Sequence, residues 1–156
     1  MKRSPNGFTL IELVVVILIG SILVGVALSS FQNAQSAYAA RGAKTMYATL
    51  HQMARARSIE MGETMRLIVD SDGDSAYIED SGGVTNITHF RRELNVDLRS
   101  NPTRFLICMT PRGYADPDCP ALALTATSDA AITLEFWQNA DSTSVLILPM
   151  GQLVGM

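Results

Sequence analysis

The sequence predicts an α+β protein in which one long N-terminal helix precedes an antiparallel β-sheet domain. Residues 10–28 are apolar or small except for Glu12, and a helical pattern of apolar positions continues to Met61. After Gly62 the chain changes to short runs rich in β-branched and aromatic residues, separated by turn residues. A helix followed by consecutive antiparallel strands is the arrangement of an α+β domain.

The apolar run at residues 10–28 is predicted to be a transmembrane helix. At about 1.5 Å of rise per residue, its length just spans a hydrocarbon core of roughly 30 Å. Lys2 and Arg3 precede the run and place that end in the cytoplasm, so the rest of the chain is expected across the membrane. A cleaved signal peptide is the weaker interpretation, because Ala27-Leu28-Ser29 is a poor cleavage site.

Glu12 is the unusual residue of this segment. An ionised carboxylate costs up to ~2.5–3.5 kcal/mol on insertion scales, and less near the interface, unless a cation neutralises it. A plain single-span anchor leaves that charge unexplained. Glu12 therefore predicts a cationic partner.

The run Gly7-Phe8-Thr9-Leu10-Ile11-Glu12-Leu13, behind a short basic leader, resembles the processing site of type IV prepilins and type II secretion pseudopilins. The resemblance implies that a prepilin peptidase cuts after Gly7 and that the new N-terminal residue, Phe8, is N-methylated. It also implies that Glu12 pairs with the N-terminal amine of a neighbouring filament subunit, which would neutralise the carboxylate in lipid.

The same resemblance implies a domain organisation and a set of partners. Residues 1–7 would be the leader peptide, residues 8–31 the transmembrane and assembly segment, and residues 32–156 a periplasmic domain with the pilin fold. The partners would be the peptidase, other major and minor pilin or pseudopilin subunits, and the inner-membrane assembly platform. The protein would cross the inner membrane once and enter a filament after assembly.

The second half of the helix is predicted to pack on the domain through an amphipathic stripe, and Gly62 is a candidate C-cap. The prolines that often kink this helix in the family are missing, and Leu28-Ser29-Ser30-Phe31 stands in that place. The predicted buried stripe comprises Ala43, Met46, Tyr47, Leu50, Met53, Ala54, Arg57 and Met61.

Six strands are predicted after the helix, each bounded by a turn signal such as Asp72-Gly73, Gly82-Gly83 or Asn101-Pro102. They cover residues 64–69, 75–79, 84–90, 104–109, 131–137 and 144–148.

Three segments of the domain resemble the H-type minor pseudopilins of type II secretion. They are residues 55–62, the turn Thr110-Pro111-Arg112-Gly113, and the terminal strand-turn-strand at 144–155 around Gly151. The resemblance implies a subunit of the pseudopilus tip or initiation complex, which supports protein export across the outer membrane. Minor type IV pilins, including those for DNA uptake, are closely similar and remain the alternative.

Cys108 and Cys119 are the only cysteines and could form one disulfide in an oxidising periplasm. Free buried thiols are the alternative. Two cysteines and two distant histidines lack the paired spacing of a zinc site.

Asp70, Asp72 and Asp74 form an oxygen-rich loop that could suit calcium. The glycine comes one place too early for an EF-hand loop, and no bidentate glutamate stands at the twelfth position. An Asp- and Gly-rich turn between two strands explains the composition as well, so we predict no metal and no cofactor.

The sequence carries no enzyme signature, and a catalytic role is not expected. Residues 113–156 hold five acids and no Lys, Arg or His, and such a tail would repel phosphates. Nucleic-acid binding would therefore depend on a cluster of Arg91, Arg92, Arg99 and Arg104.

Overall fold

The structure is a computed structural model that describes residues 9–116, 125–126 and 131–155. The chain divides into two compact units, the first ending at Gln35 and the second beginning at Ser36. The predicted α+β class is confirmed: helix α1 (Leu10–Met61) is followed by strands that form two sheets.

In the first unit, α1 exposes almost all of its large apolar side chains, and none of its most apolar window is buried. The Ser21 and Ser29 hydroxyls donate to the carbonyls of Leu18 and Val26, at 2.8 and 2.9 Å. Both hydroxyls therefore find partners within the helix, as a polar group in lipid requires. The stretch 28–31, which lacks the expected proline, is helical.

In the second unit, α1 buries a stripe of small and apolar side chains. Ala43, Tyr47, Leu50 and Ala54 confirm the predicted stripe, whereas Met46, Met53 and Arg57 are half-buried. Met61 is 63% exposed, and its predicted burial is wrong because the stripe ends one turn earlier, at Ser58. Gly62 follows with φ +68°, the left-handed conformation of a helix C-cap.

The strands of the first sheet lie in the order β3-β2-β1-β5-β6, and those of the second in the order β4-β7-β8-β9. All neighbours are antiparallel except β5 and β6. The strands are β1 (Met65–Asp70), β2 (Ser75–Asp80), β3 (Gly83–His89), β4 (Asp97–Ser100), β5 (Arg104–Met109), β6 (Thr125–Ala126), β7 (Ile132–Gln138), β8 (Asp141–Ile147) and β9 (Leu153–Val154).

The predicted strands match β1, β2, β3, β5, β7 and β8, with boundaries that differ by up to three residues. The predicted strand 84–90 ends one residue early because Phe90 begins a short helix, α2 (Phe90–Leu94). Asn95, in the left-handed conformation at φ 55°, ends α2 and leads into β4, which the sequence did not predict.

The core lies between α1 and the sheets and centres on three aromatic rings. The Tyr47 and Phe136 ring centroids are 6.0 Å apart, and those of Phe90 and Phe136 are 5.9 Å apart. These are ordinary distances for packed aromatic pairs. A second, smaller cluster of Ile68, Leu106 and Cys108 lies on β1 and β5, offset by one residue from the core-facing positions of those strands.

Polar contacts also join α1 to the C-terminal strands. The Ser36 hydroxyl donates to the Asp141 carboxylate, and the Lys44 ammonium donates to the Gly155 carbonyl. These two contacts hold the start of the buried helix stripe to the two ends of the β8–β9 hairpin in the four-stranded sheet.

Candidate functional site

The N-terminus of α1 is closed by a reciprocal pair of residues, Thr9 and Glu12. The Glu12 N–H donates to Thr9 Oγ1 at 3.3 Å, and the Thr9 N–H donates to Glu12 Oε2 at 3.5 Å. The Thr9 hydroxyl also lies 3.5 Å from Glu12 Oε2. This is the geometry of a capping box, in which each side chain satisfies the other's backbone donor.

The capping role of Glu12 was not predicted, although its signal is present. Thr9-Leu10-Ile11-Glu12 fits the pattern of Ser or Thr followed three residues later by an acid, just before an apolar run. The negative charge also lies at the positive end of the helix dipole, which favours it there. Glu12 is thus anchored within its own chain, and its carboxylate remains exposed.

The apolar residues that follow Glu12 form the rest of this candidate assembly segment. Leu10, Ile17 and Leu23 are among the many large apolar side chains of the first unit that are more than half exposed. This helix is the one described helix long and apolar enough to cross a membrane. Gly7 and Phe8, the predicted cleavage and methylation positions, lie outside the described residues.

The calcium candidate is a turn whose aspartates already hold protein donors. Asp70 accepts the Gly73 N–H at 3.1 Å on one carboxylate oxygen and pairs with Arg104 Nε at 3.0 Å on the other. The described residues contain no group of three or more His, Cys, Asp or Glu side chains that could hold a metal ion. Asp72 is exposed at the tip of the turn.

Asp74 has a structural role at the junction of the two sheets. One of its oxygens accepts the Leu98 N–H at 2.7 Å, and the other lies 2.9 Å from Arg91 Nε. Asp74 is buried and takes a left-handed backbone conformation at φ 46°. The carboxylate therefore fixes the start of β4 beside the β1–β2 turn, a contact that spacing in the sequence did not reveal.

Cys108 is buried on β5 and is disulfide-bonded. Cys119, its predicted partner, lies outside the described residues. The pairing of the two therefore stays a prediction.

The four arginines considered for nucleic acid are mostly engaged by the domain itself. Arg91 pairs with Asp74 and Asp97, and Arg104 pairs with Asp70. The Arg99 guanidinium carbon lies 4.5 Å from the centroid of the Trp137 ring, a cation–π contact. Acids thus pair with two of these arginines, Arg91 and Arg104, and the Trp137 ring lies against a third, Arg99.

Residues 2–28 match the prokaryotic N-terminal methylation motif. No curated protein matches the chain, and no solved structure does. The motif, the exposed apolar helix and the α+β domain together support a type IV pilin-like, membrane-anchored protein that a prepilin peptidase processes and that assembles with other pilins.

Proposed function

We propose that this chain is a minor pseudopilin, a structural subunit of the type II secretion pseudopilus that acts in its tip or initiation complex. The observation that carries the proposal is the match to the methylation motif at residues 2–28, with Glu12 at the start of an exposed apolar helix. The role is assembly and not catalysis.

The proposed mechanism begins when the peptidase removes residues 1–7. The freed and methylated amine of Phe8 then lies close to the Glu12 carboxylate of a neighbouring subunit, so that each charge is neutralised within the membrane. The apolar side chains of residues 10–28, which are exposed in the single chain, then pack against other pilin helices. The periplasmic domain contacts other minor subunits.

Contacts inside the domain bring together the three segments on which the H-type resemblance rests. The Ser58 hydroxyl donates to the Thr110 carbonyl at 2.9 Å, which joins the end of α1 to the turn at 110–113. The same turn leads to Ala115, whose N–H donates to the Met150 carbonyl at 3.2 Å. The three segments that carry the resemblance therefore pack on one another as a unit.

A minor type IV pilin is the second candidate, since it would use the same N-terminal segment. The DNA-uptake form is disfavoured because three of the four candidate arginines are held by acids or by an aromatic ring. If the chain were a DNA-uptake pilin, the full chain would bind DNA, and this binding would persist at moderate salt.

The test is a gene deletion complemented with wild type, Glu12→Ala or the matched control Glu60→Ala, which removes an exposed acid from the end of α1. We expect the deletion and Glu12→Ala to abolish export of type II substrates, whereas Glu60→Ala restores it and pilus number is unchanged. Loss of pili with normal export would instead assign the chain to a type IV pilus.

A further inference from the structure

A pocket of about 440 Å³ lies in the second unit, between α1 and the C-terminal turn. We call it the Arg55 pocket. Helix α1 contributes His51, Gln52 and Arg55, and the opposite wall comes from the turn at 113–114 and from residues 150–154. None of the described residues that line it is acidic, although the chain as a whole has a net charge of −3.

Arg55 supplies the charge of the pocket. It is exposed and forms no ion pair with any acid among the described residues. Its side chain passes over Gly113, where a Cβ would lie 3.2 Å from Arg55 Nε. The glycine leaves room for the guanidinium beside the pocket wall, and the cation is free to take a counter-ion.

His51 is the second observation that indicates a ligand. Its side chain is 3% exposed, and neither ring nitrogen has a hydrogen bond of standard geometry to any of the described residues. Burial lowers the pKa of His51 to about 4, and the nearby Gly151 carbonyl opposes this lowering only in part. A neutral imidazole keeps one N–H donor, and an oxygen in the pocket would satisfy it.

The rim of the pocket has the composition of a protein contact. Met150 and Val154 are 51% and 47% exposed, and Tyr114 is exposed beside them. Arg, Tyr and Met are enriched at protein interfaces, where the surrounding contacts exclude water from the central contact. A small free carboxylate would leave these side chains in water.

We propose that the Arg55 pocket binds a carboxylate side chain presented by an acidic segment of a partner protein, with the Arg55 guanidinium as counter-ion. The apolar side chains of Met150 and Val154 contact residues flanking that acid. The proposal does not depend on the filament role, because it uses contacts of the second unit alone.

The test uses the full chain in detergent micelles with ¹⁵N-labelled histidine. The chain has two histidines, and a His89→Gln variant assigns the remaining imidazole signal to His51. The probes are the peptides acetyl-Leu-Glu-Leu-amide and acetyl-Leu-Gln-Leu-amide, and sodium acetate. We expect a saturable shift of the His51 signal with the glutamate peptide and binding roughly tenfold weaker with the glutamine peptide.

Arg55→Ala is expected to weaken binding of the glutamate peptide by about tenfold or more. Arg55→Lys should weaken it less, because lysine keeps the positive charge but lacks the paired N–H donors with which a guanidinium binds a carboxylate. Arg41→Ala removes the same charge from the same helix outside the pocket and should leave binding unchanged. The fluorescence of the single Trp, which lies outside the pocket, shows that each variant is folded.

Three results would overturn the proposal. Equal binding of the two peptides would show that the pocket does not recognise a carboxylate. Equal losses of affinity in the Arg55→Ala and Arg41→Ala variants would show that Arg55 is not the specific counter-ion. If acetate bound as tightly as the glutamate peptide, the ligand of the pocket would be a small free carboxylate and not a segment of a protein.

Discussion

Glu12 caps the helix that begins beside it, because its backbone N–H donates to Thr9 Oγ1 and its carboxylate accepts the Thr9 N–H. The same carboxylate is the group that the prepilin resemblance assigns to the amine of a neighbouring subunit. Glu12 has a second carboxylate oxygen, so a local cap and an intermolecular ion pair are chemically compatible. Thr9 thus orients the acid before any partner arrives.

Removing the Thr9 hydroxyl, which accepts the Glu12 N–H, should destabilise the first turn of α1. Thr9→Val keeps the size of the side chain but removes the acceptor, at a cost of about 1 kcal/mol for a helix cap. Amide exchange at Glu12 in micelles should then be roughly fivefold faster than in wild type. Thr9→Ser, which keeps the hydroxyl, should exchange like wild type; equal exchange in all three would show that the cap contributes nothing.

His51 should make the domain less stable in mild acid. Burial lowers its pKa from 6.5 to about 4, with a further lowering by the Arg55 charge and an opposing effect of the Gly151 carbonyl. Between these two values the unfolded chain binds a proton that the folded chain does not. Stability is therefore full above about pH 6.5 and falls as the pH drops toward about 4, by on the order of 3 kcal/mol.

The measurement for His51 is urea unfolding of the full chain in micelles at pH 7 and pH 4, followed by fluorescence of the single Trp. His51→Gln should show a smaller loss of stability between the two pH values, because glutamine does not titrate. His89→Gln should behave like wild type. If His51→Gln lost as much stability as wild type, the acid sensitivity would belong to other groups.

Tyr47→Phe should leave the domain as stable as wild type or more stable. The Tyr47 hydroxyl is buried and has no hydrogen-bond partner in the part of the chain that the structure describes, and burial raises the pKa of Tyr47 well above its usual range. Removing an unsatisfied buried hydroxyl gains up to about 1–3 kcal/mol, whereas Tyr47→Ala leaves a cavity and should cost about 3–5 kcal/mol. Unfolding of Tyr47→Phe at lower urea than wild type would mean that the hydroxyl is paired.

Gly151→Ala should be strongly destabilising, by more than about 2 kcal/mol, for two reasons that add. Its φ of +73° disfavours any side chain, and an added Cβ would lie 2.6 Å from the Ala115 Cβ. Gly62→Ala is the matched control, because its φ is +68° but nothing lies near the added Cβ. Equal losses of unfolding free energy in the two variants would show that Ala115 moves aside freely.

Local patterns in the sequence predicted most of the elements. The apolar helical run, the stripe from Ala43 to Ala54, the apolar runs of β1 and β5 and the alternating run of β7 are all visible in the local sequence. β4 and α2 were missed because each is very short, and their positions depend on Asp74 and Asn95 and not on a repeating pattern.

The candidate sites divide in the same way. Glu12 could be singled out because it is the one charge in the apolar run of residues 10–28, although its capping role was missed. The Arg55 pocket could not, because His51, Tyr114 and Gly151 come together only when distant parts of the chain fold. The aspartate turn showed the opposite problem, since its composition suggested a cation while the carboxylates of Asp70 and Asp74 bind arginines and backbone N–H groups.

Mass spectrometry of the N-terminus is the direct test of whether a prepilin peptidase processes this chain. The full chain would be expressed with and without a prepilin peptidase, as wild type and as a Gly7→Val variant. We expect a mature chain that begins at methylated Phe8 only when both the peptidase and Gly7 are present. A chain that still begins at Met1 in the presence of the peptidase, or one cut near Ala27, would contradict the account.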